Sequence, residues 1–198
     1  MRNRFFAILV VFSLLLVLVS CSKKNAEEIG NVETYKWLKP GTTLIYEVNY
    51  YGNTYDFTVT LQELGKSVKF YYEMLNQWGN ITISEEAMKN AIRQKNSFSG
   101  GDVELEDATT VFLSREVFRL IKNGASVYIN PGTGLTYVDG SNIVKKTVLI
   151  DGEAAEYGLV HFVCYDLSEY YVLDDDIFPL IISMVLDFSI ELKEIITE

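Results

Sequence analysis

Residues 180–195 read LIISMVLDFSIELKEI, with Leu180, Ile182, Met184, Leu186, Phe188, Ile190 and Leu192 all at even positions. On a helix such a series is smeared around the cylinder and leaves no single buried face. On a strand it places every one of these apolar side chains on one side. The stretch therefore reads as one long strand, 180–195, entered from Pro179, where a missing backbone donor does little harm. The odd side runs from Ile181, Ser183 and Val185 to Asp187, Ser189, Glu191 and Lys193, so the first half is expected to be covered on both faces.

The same period recurs upstream. Leu44, Tyr46, Val48 and Tyr50 alternate with Thr43, Glu47 and Asn49. After Gly52-Asn53 come Tyr55, Phe57, Val59 and Leu61, and after Gly65-Lys66 come Val68, Phe70, Tyr72 and Met74. Short glycine-bearing turns between such runs predict an antiparallel meander with one apolar face, and Ile81 to Ile83 adds a fourth strand. Further strands are expected at 125–129, 135–139, 144–150, 158–166 and 170–173, separated by Asn130-Pro131-Gly132, Asp139-Gly140 and Asp151-Gly152, and 109–113 is a further candidate. Ser84-Glu85-Glu86 predicts a capped helix to Gln94 with Ala87, Met88, Ala91 and Ile92 inward; Ser114 predicts a second to Asn123 with Val117, Phe118, Leu120 and Ile121 inward, ended by Gly124. The fold class is mainly β with two short helices, about ten strands in all, as a curved antiparallel sheet or half-barrel at the margin of α+β.

The N-terminus carries an address. Arg2 and Arg4 precede an apolar run from Phe5 to Val19, broken only by Ser13, and Leu18-Val19-Ser20-Cys21 follows. About 15 apolar residues match the core of a signal peptide and fall short of the roughly 20 that span a bilayer. Aliphatic and small residues before a cysteine resemble the lipobox of bacterial lipoproteins. The resemblance implies cleavage after residue 20, a diacylglyceryl thioether on Cys21, and membrane attachment through that lipid; Ser22 in place of Asp implies an outer-membrane address facing the periplasm. Residues 1–20 are then a signal peptide, 21–33 a polar lipidated tether, and 34–198 one β-rich domain.

Charge narrows the partners. The 198-residue chain has 17 basic and 27 acidic residues, and removal of Arg2 and Arg4 with the signal takes the net charge from −10 to −12. Such a surface repels nucleic acid and anionic headgroups, so no nucleic-acid partner is expected and attachment to a membrane falls to the lipid. With Cys21 modified, Cys164 stands alone among Phe162, Val163 and Tyr165, and reads as a buried small hydrophobe rather than a nucleophile.

Little else points to chemistry. His161 is the single histidine and shares a strand face with Leu159, Val163 and Tyr165, which suits a core or half-buried structural role; a triad or zinc site would lack parts. Asp174-Asp175-Asp176 has neither the alternating carboxylates nor the glycine of a calcium loop, and reads as a solvated turn before the last strand. Gly132-Thr133-Gly134 is a turn, lacking the Gly-Lys-Ser/Thr of a phosphate loop. No catalytic residue, metal site or cofactor is assigned. The aromatic content is more suggestive: 13 tyrosines and 11 phenylalanines, with the pairs Tyr50-Tyr51, Tyr71-Tyr72 and Tyr170-Tyr171. Neighbours in a strand face opposite ways, so Tyr51 and Tyr71, joined by Trp78 or Trp37, are the candidates for an open ligand or partner face; ordinary strand propensity and cross-strand pairing account for the same residues more simply.

Size, lipid anchor and a sheet with few helices are similar to the lipoprotein-carrier family, LolA and LolB, half-barrels whose apolar cavity takes acyl chains; the segments Tyr157-Gly158-Leu159 and Phe178-Pro179-Leu180 also look like uncharacterised secreted lipoproteins of Bacteroidota. The first resemblance implies a non-enzymatic binding protein for an apolar ligand or an envelope protein. A structural or assembly component of an envelope complex is the alternative, and a hydrolase using Asp or Glu a more distant one.

Overall fold

The computed structural model describes residues 35–197; the signal segment, Cys21 and the tether lie outside the described residues. The strands are β1 (Thr43–Tyr50), β2 (Asn53–Leu64), β3 (Val68–Met74), β4 (Gln77–Ile83), β5 (Arg93–Gln94), β6 (Val103–Leu105), β7 (Ala108–Thr109), β8 (Val127–Ile129), β9 (Thr136–Val138), β10 (Asn142–Ile150), β11 (Glu153–Val163), β12 (Glu169–Leu173), β13 (Ile181–Val185) and β14 (Ser189–Ile196). Two helices, α1 (Glu85–Asn90) and α2 (Arg115–Lys122), interrupt them. The fold is mainly β with two short helices, as the alternation requires.

Ten strands form one sheet in the order β10-β11-β12-β13-β14-β1-β2-β3-β4-β6. β10 also pairs in parallel with β14, Leu149 beside Glu194 and Ile150 beside Ile195, so β10–β14 close into a five-stranded barrel. β1–β4 and β6 continue from it as an open sheet, antiparallel except for the β4–β6 pair. β14 makes this possible because one of its edges is divided: Ser189, Ile190 and Glu191 pair with β13, while Glu194 and Ile195 pair with β10. Its other edge runs along β1, with an irregularity between Ile45 and Tyr46 that skips Lys193.

The expected single strand at 180–195 is instead the β13–β14 hairpin, turning at Leu186, Asp187 and Phe188 with Leu186 N donating to Phe188 O at 2.7 Å. Alternation survives the reversal because residues of like parity face each other, Ser183 opposite Glu191 and Met184 opposite Ile190. A hairpin with this register keeps one parity on one face through the turn, so period alone cannot tell it from a continuous strand. β4 likewise begins at Gln77, four residues before the expected start at Ile81, and runs through Gly79.

α1 stops at Asn90 rather than Gln94. Ser84 caps it, accepting from Ala87 N at 3.1 Å, but Ala91 adopts an extended conformation and Ile92, expected inward, is exposed. Residues 93–94 pair with Ala108 and Thr109 instead, and the buried Gln94 side chain donates to Phe112 O at 3.1 Å. Tertiary pairing outweighs helix propensity here. α2 matches its expected span, with Val117, Phe118 and Ile121 buried and Gly124 at φ +72 ending it, although the Ser114 hydroxyl makes no capping bond.

Two apolar clusters hold the fold. One takes the inner faces of β1–β4 (Leu44, Tyr46, Phe57, Val59, Phe70, Tyr72, Ile81), Met88 of α1, and Val148, Leu159, Leu173 and Ile195 from the barrel strands. The other packs α2 against Val160 and Phe162 of β11, Cys164 just after it, Tyr170 and Val172 of β12, and Ile181 and Met184 of β13. β11 is thus apolar on both sides along Leu159 and Val160. Each such buried aliphatic or aromatic side chain contributes about 1.5–3 kcal/mol.

Candidate functional site

The inner face of the open sheet is not fully covered. Between β1–β3, the β13–β14 hairpin and two loops lies a groove of about 710 Å³, inside the roughly 300–1,000 Å³ span of small-molecule sites. The register explains its wall. Tyr46, Val48, Phe57 and Met74 share the inward face of β1–β3, and Met184 and Ile190, opposite each other across the hairpin, continue it. Tyr46 is fixed from below: its hydroxyl donates to Ile181 O at 2.9 Å, and full burial pushes its pKa far up. Neutral and occupied, it behaves as part of an apolar wall.

The loops supply the opposite side. Phe98 lies flat on Phe57 at 5.7 Å and 5.1 Å from Tyr72, so residues 95–98 are held over the sheet by aromatic contact. The 130–133 loop is stitched to this segment: Gln94 N donates to Asn130 O, Asn96 Nδ2 to Pro131 O at 2.5 Å, and Gly132 N to Asn130 Oδ1 at 2.9 Å. Charges at this side are few. Arg93 is paired with Asp107; Lys95, half-buried, makes no ion pair among the described residues; Asp187 comes from the hairpin turn. The groove can therefore take an apolar body and meet a polar end with amide groups and one ammonium.

Of the sequence candidates, Tyr71 and Trp78 come together and Tyr51 does not join them. Tyr71 and Trp78 line a second, shallower depression of about 380 Å³ on the outer face of β3–β4. Tyr51 sits in the β1–β2 turn, exposed, with its ring 4.6 Å from that of Tyr50. Trp37 is buried, donating through Nε1 to Tyr157 Oη at 3.1 Å, and so takes no part in an open face.

His161 is half-buried and held on every side. Its Nε2 lies 2.8 Å from Glu169 Oε1 and its Nδ1 3.0 Å from Asn142 Oδ1, and its ring stacks on Tyr171 at 4.5 Å. Tyr171 donates to the same Glu169 oxygen at 2.9 Å. Glu169 is drawn below the usual carboxylate range by these bonds from His161 and Tyr171, and the Tyr171 hydroxyl is pushed up by donating to it. Nothing nucleophilic stands among these groups, and the cluster reads as a structural tie between β10, β11 and β12. Val163 and Tyr165, expected beside His161 on its face, are exposed.

The acidic run is structural too, but not solvated throughout as the sequence suggested. Asp175 is buried, its Oδ1 accepting from Ile177 N and Phe178 N, which shapes the turn into β13. Asp174 and Asp176 grip Lys122 of α2 at 2.7 and 3.0 Å. Cys164 is buried, its thiol pushed up to about 12 by burial and by the neighbouring Asp166. Among the described residues no three His, Cys, Asp or Glu side chains are grouped to hold a metal ion, and no helix is long and apolar enough to cross a membrane.

Sequence reasoning missed the groove's loop wall, Asn96, Phe98 and Asn130 to Thr133. These residues lie in separate segments without periodicity, and only tertiary folding juxtaposes them. No family model matches this chain, and neither a curated protein nor a solved structure matches it.

Proposed function

We propose that this chain is a lipid-anchored envelope protein, non-enzymatic, that binds an apolar ligand in the groove on the inner face of its open sheet. The observation that carries the reading is a 710 Å³ groove walled by Val48, Phe57, Met74, Met184 and Ile190 and closed by an aromatic-pinned loop. Ten buried methylenes would return about 8 kcal/mol. That only offsets an association cost of roughly 4–15 kcal/mol, so the polar end must add hold, and Lys95 with Asn130 stands where it can. Lipidation of Cys21 and an outer-membrane, periplasm-facing address rest on the lipobox resemblance.

Two measurements test this. Full-length protein extracted from membranes is analysed by native mass spectrometry for bound lipid, and 1-N-phenylnaphthylamine fluorescence is titrated and competed with palmitate. Copurifying lipid and competition that weakens at least tenfold in Met74→Arg are expected. Absence of both bound lipid and competition would refute the apolar-ligand reading. For the anchor, Cys21→Ser is expected to leave the membrane fraction and lose lipid labelling; labelling that persists refutes it.

A partner-binding role is favoured by a separate observation. Tyr128, Leu135, Tyr137, Tyr165 and Leu167 are exposed on the β8–β9 hairpin and the β11–β12 turn, with Tyr137 stacked on Tyr165 at 5.2 Å and tilted against Tyr128 at 6.2 Å. Exposed aromatic clusters of this kind mark protein interfaces. Tyr165→Asp with Leu167→Asp would release an envelope partner in a cross-linking pull-down without altering palmitate competition.

A further inference from the structure

We propose that the outer face of β2–β4, with the loop at residues 99–102, is a binding site for a neutral oligosaccharide. It lies on the other face of the strands that wall the apolar groove and goes beyond that reading.

Register lines up the recognition groups. Thr43, Thr60, Tyr71 and Asn80 are successive cross-strand partners on β1, β2, β3 and β4, and Asp102 extends the row by accepting from both Asn80 N and Asn80 Nδ2 at 2.9 Å. Neighbouring strands stand about 4.8 Å apart, so hydroxyl, phenol, amide and carboxylate recur at short, regular intervals across a pleated surface. Gln62 joins at one side, donating to Asn80 Oδ1 at 3.1 Å.

Trp78 supplies the platform. It stands opposite Glu73 on β4, diagonal to Tyr71, and is 60% exposed. A large indole left in water by a fold with ample core to place it in is unusual. The surface beside the indole is bare by construction. Gly79 packs so tightly on Gly101 that a Cβ would fall 1.9 Å from Gly101 O, and Gly100 and Gly101 both adopt positive φ, +81° and +84°. Gly79 faces inward with Ile81, so its close fit holds the 99–102 loop in place, and the bare backbone of Gly100 and Gly101 leaves a shallow slot beside the ring, about 380 Å³, with Asn76, Gln77, Asn80, Ser99 and Asp102 around it.

A sugar ring has the matching chemistry: a face of C–H bonds for the indole and equatorial hydroxyls for planar amides and carboxylates. Asp102 is drawn below the usual carboxylate range by its bonds from Asn80, so it is an ionised acceptor at neutral pH. Charge selects against acidic glycans. Glu73, Asp102 and Glu104 share this face with Lys69 as the only base among the described residues of β2–β4 and β6 that face outward. An apolar peptide would find too much of the surface polar.

The test uses full-length protein and calorimetric titration with cellohexaose, maltohexaose, mannohexaose and chitohexaose, and hexagalacturonate as the acidic counterpart. At least one neutral hexasaccharide is expected to bind saturably. Trp78→Ala is expected to weaken it at least tenfold, about 1.4 kcal/mol, Trp78→Phe to retain most affinity, and Asp102→Asn to weaken it at least threefold while circular dichroism stays unchanged. Should Trp78→Ala lose its fold, Asp102→Asn reads the same site. No binding by any of the four, undiminished binding in Trp78→Ala or, where that variant does not fold, in Asp102→Asn, or equal binding of hexagalacturonate overturns the proposal. Palmitate competition in the opposite groove is expected to stay the same in all three variants.

Discussion

Replacing Gly79 by alanine tests how the end of the open sheet is closed. A Cβ there would lie 1.9 Å from Gly101 O and 2.4 Å from Gly101 C, and both are backbone, so no side chain can swing aside. The 99–102 loop must retreat by more than 1 Å to reach even the 3.0 Å floor for real Cβ contacts. That retreat breaks the Gly101 N to Trp78 O bond of 2.8 Å and the two bonds from Asn80 to Asp102 at 2.9 Å. At about 0.5–1.5 kcal/mol per bond, more where the carboxylate is ionised, the loss is about 3 kcal/mol. For a unit of this length that lowers Tm by roughly 6–12 °C. The reference is Gly52→Ala in the β1–β2 turn, where φ is +80° and nothing lies within 4 Å, so only the left-handed backbone costs, about 1–2 kcal/mol. Urea denaturation followed by circular dichroism ranks the two. Gly79→Ala less damaging than Gly52→Ala, or within 1 kcal/mol of the native protein, would refute the backbone-contact argument.

Other expectations are shorter to state. Tyr46→Phe strands the Ile181 carbonyl in the core and should cost about 1–2 kcal/mol by the same denaturation assay. Cys164 should resist Ellman's reagent at pH 8 in the native protein and react fully in urea; because its folded pKa stands near 12 against 9.0 unfolded, its effect on stability is absent below pH 9 and stability falls progressively between about 9 and 12, a fall that Cys164→Ala removes. Glu169 has the opposite sign: its folded carboxyl titrates below the ordinary glutamate range, so the stability it adds is present above pH 4.5 and lost as pH falls below that value, and Glu169→Gln should flatten the acid limb of a pH–stability curve.

The fold class was legible because strand period is a local signal: the inward sets Leu44-Tyr46-Val48 and Phe57-Val59-Leu61 are buried as read, and Ser84 and Gly124 bound their helices as read. What could not be read is where the chain reverses without breaking parity, as at Leu186–Phe188, and where a glycine serves a distant backbone, as Gly79 serves Gly101. Both depend on contacts with no trace in nearby residues. The candidate site divides the same way. Trp78 and Tyr71 stood out by their chemistry, but Asn80 and Asp102 become a site only because β6 lies alongside β4, and the groove needs Phe98 laid over Phe57. Ile92 shows the reverse case: a good helical pattern lost to pairing of the next two residues with Ala108 and Thr109.

The divided edge of β14 has a mechanical consequence. A ring and a wing that share one strand cannot come apart separately: unzipping β14 from β10 opens the ring at the point where its other edge carries the wing. Calorimetry should then show a single endotherm for residues of both. Anything that clamps Ile190 to Met184 would stiffen the shared strand along its length, so that occupancy on one side of the molecule is felt as slower amide exchange at Leu149 and Ile150 on the other.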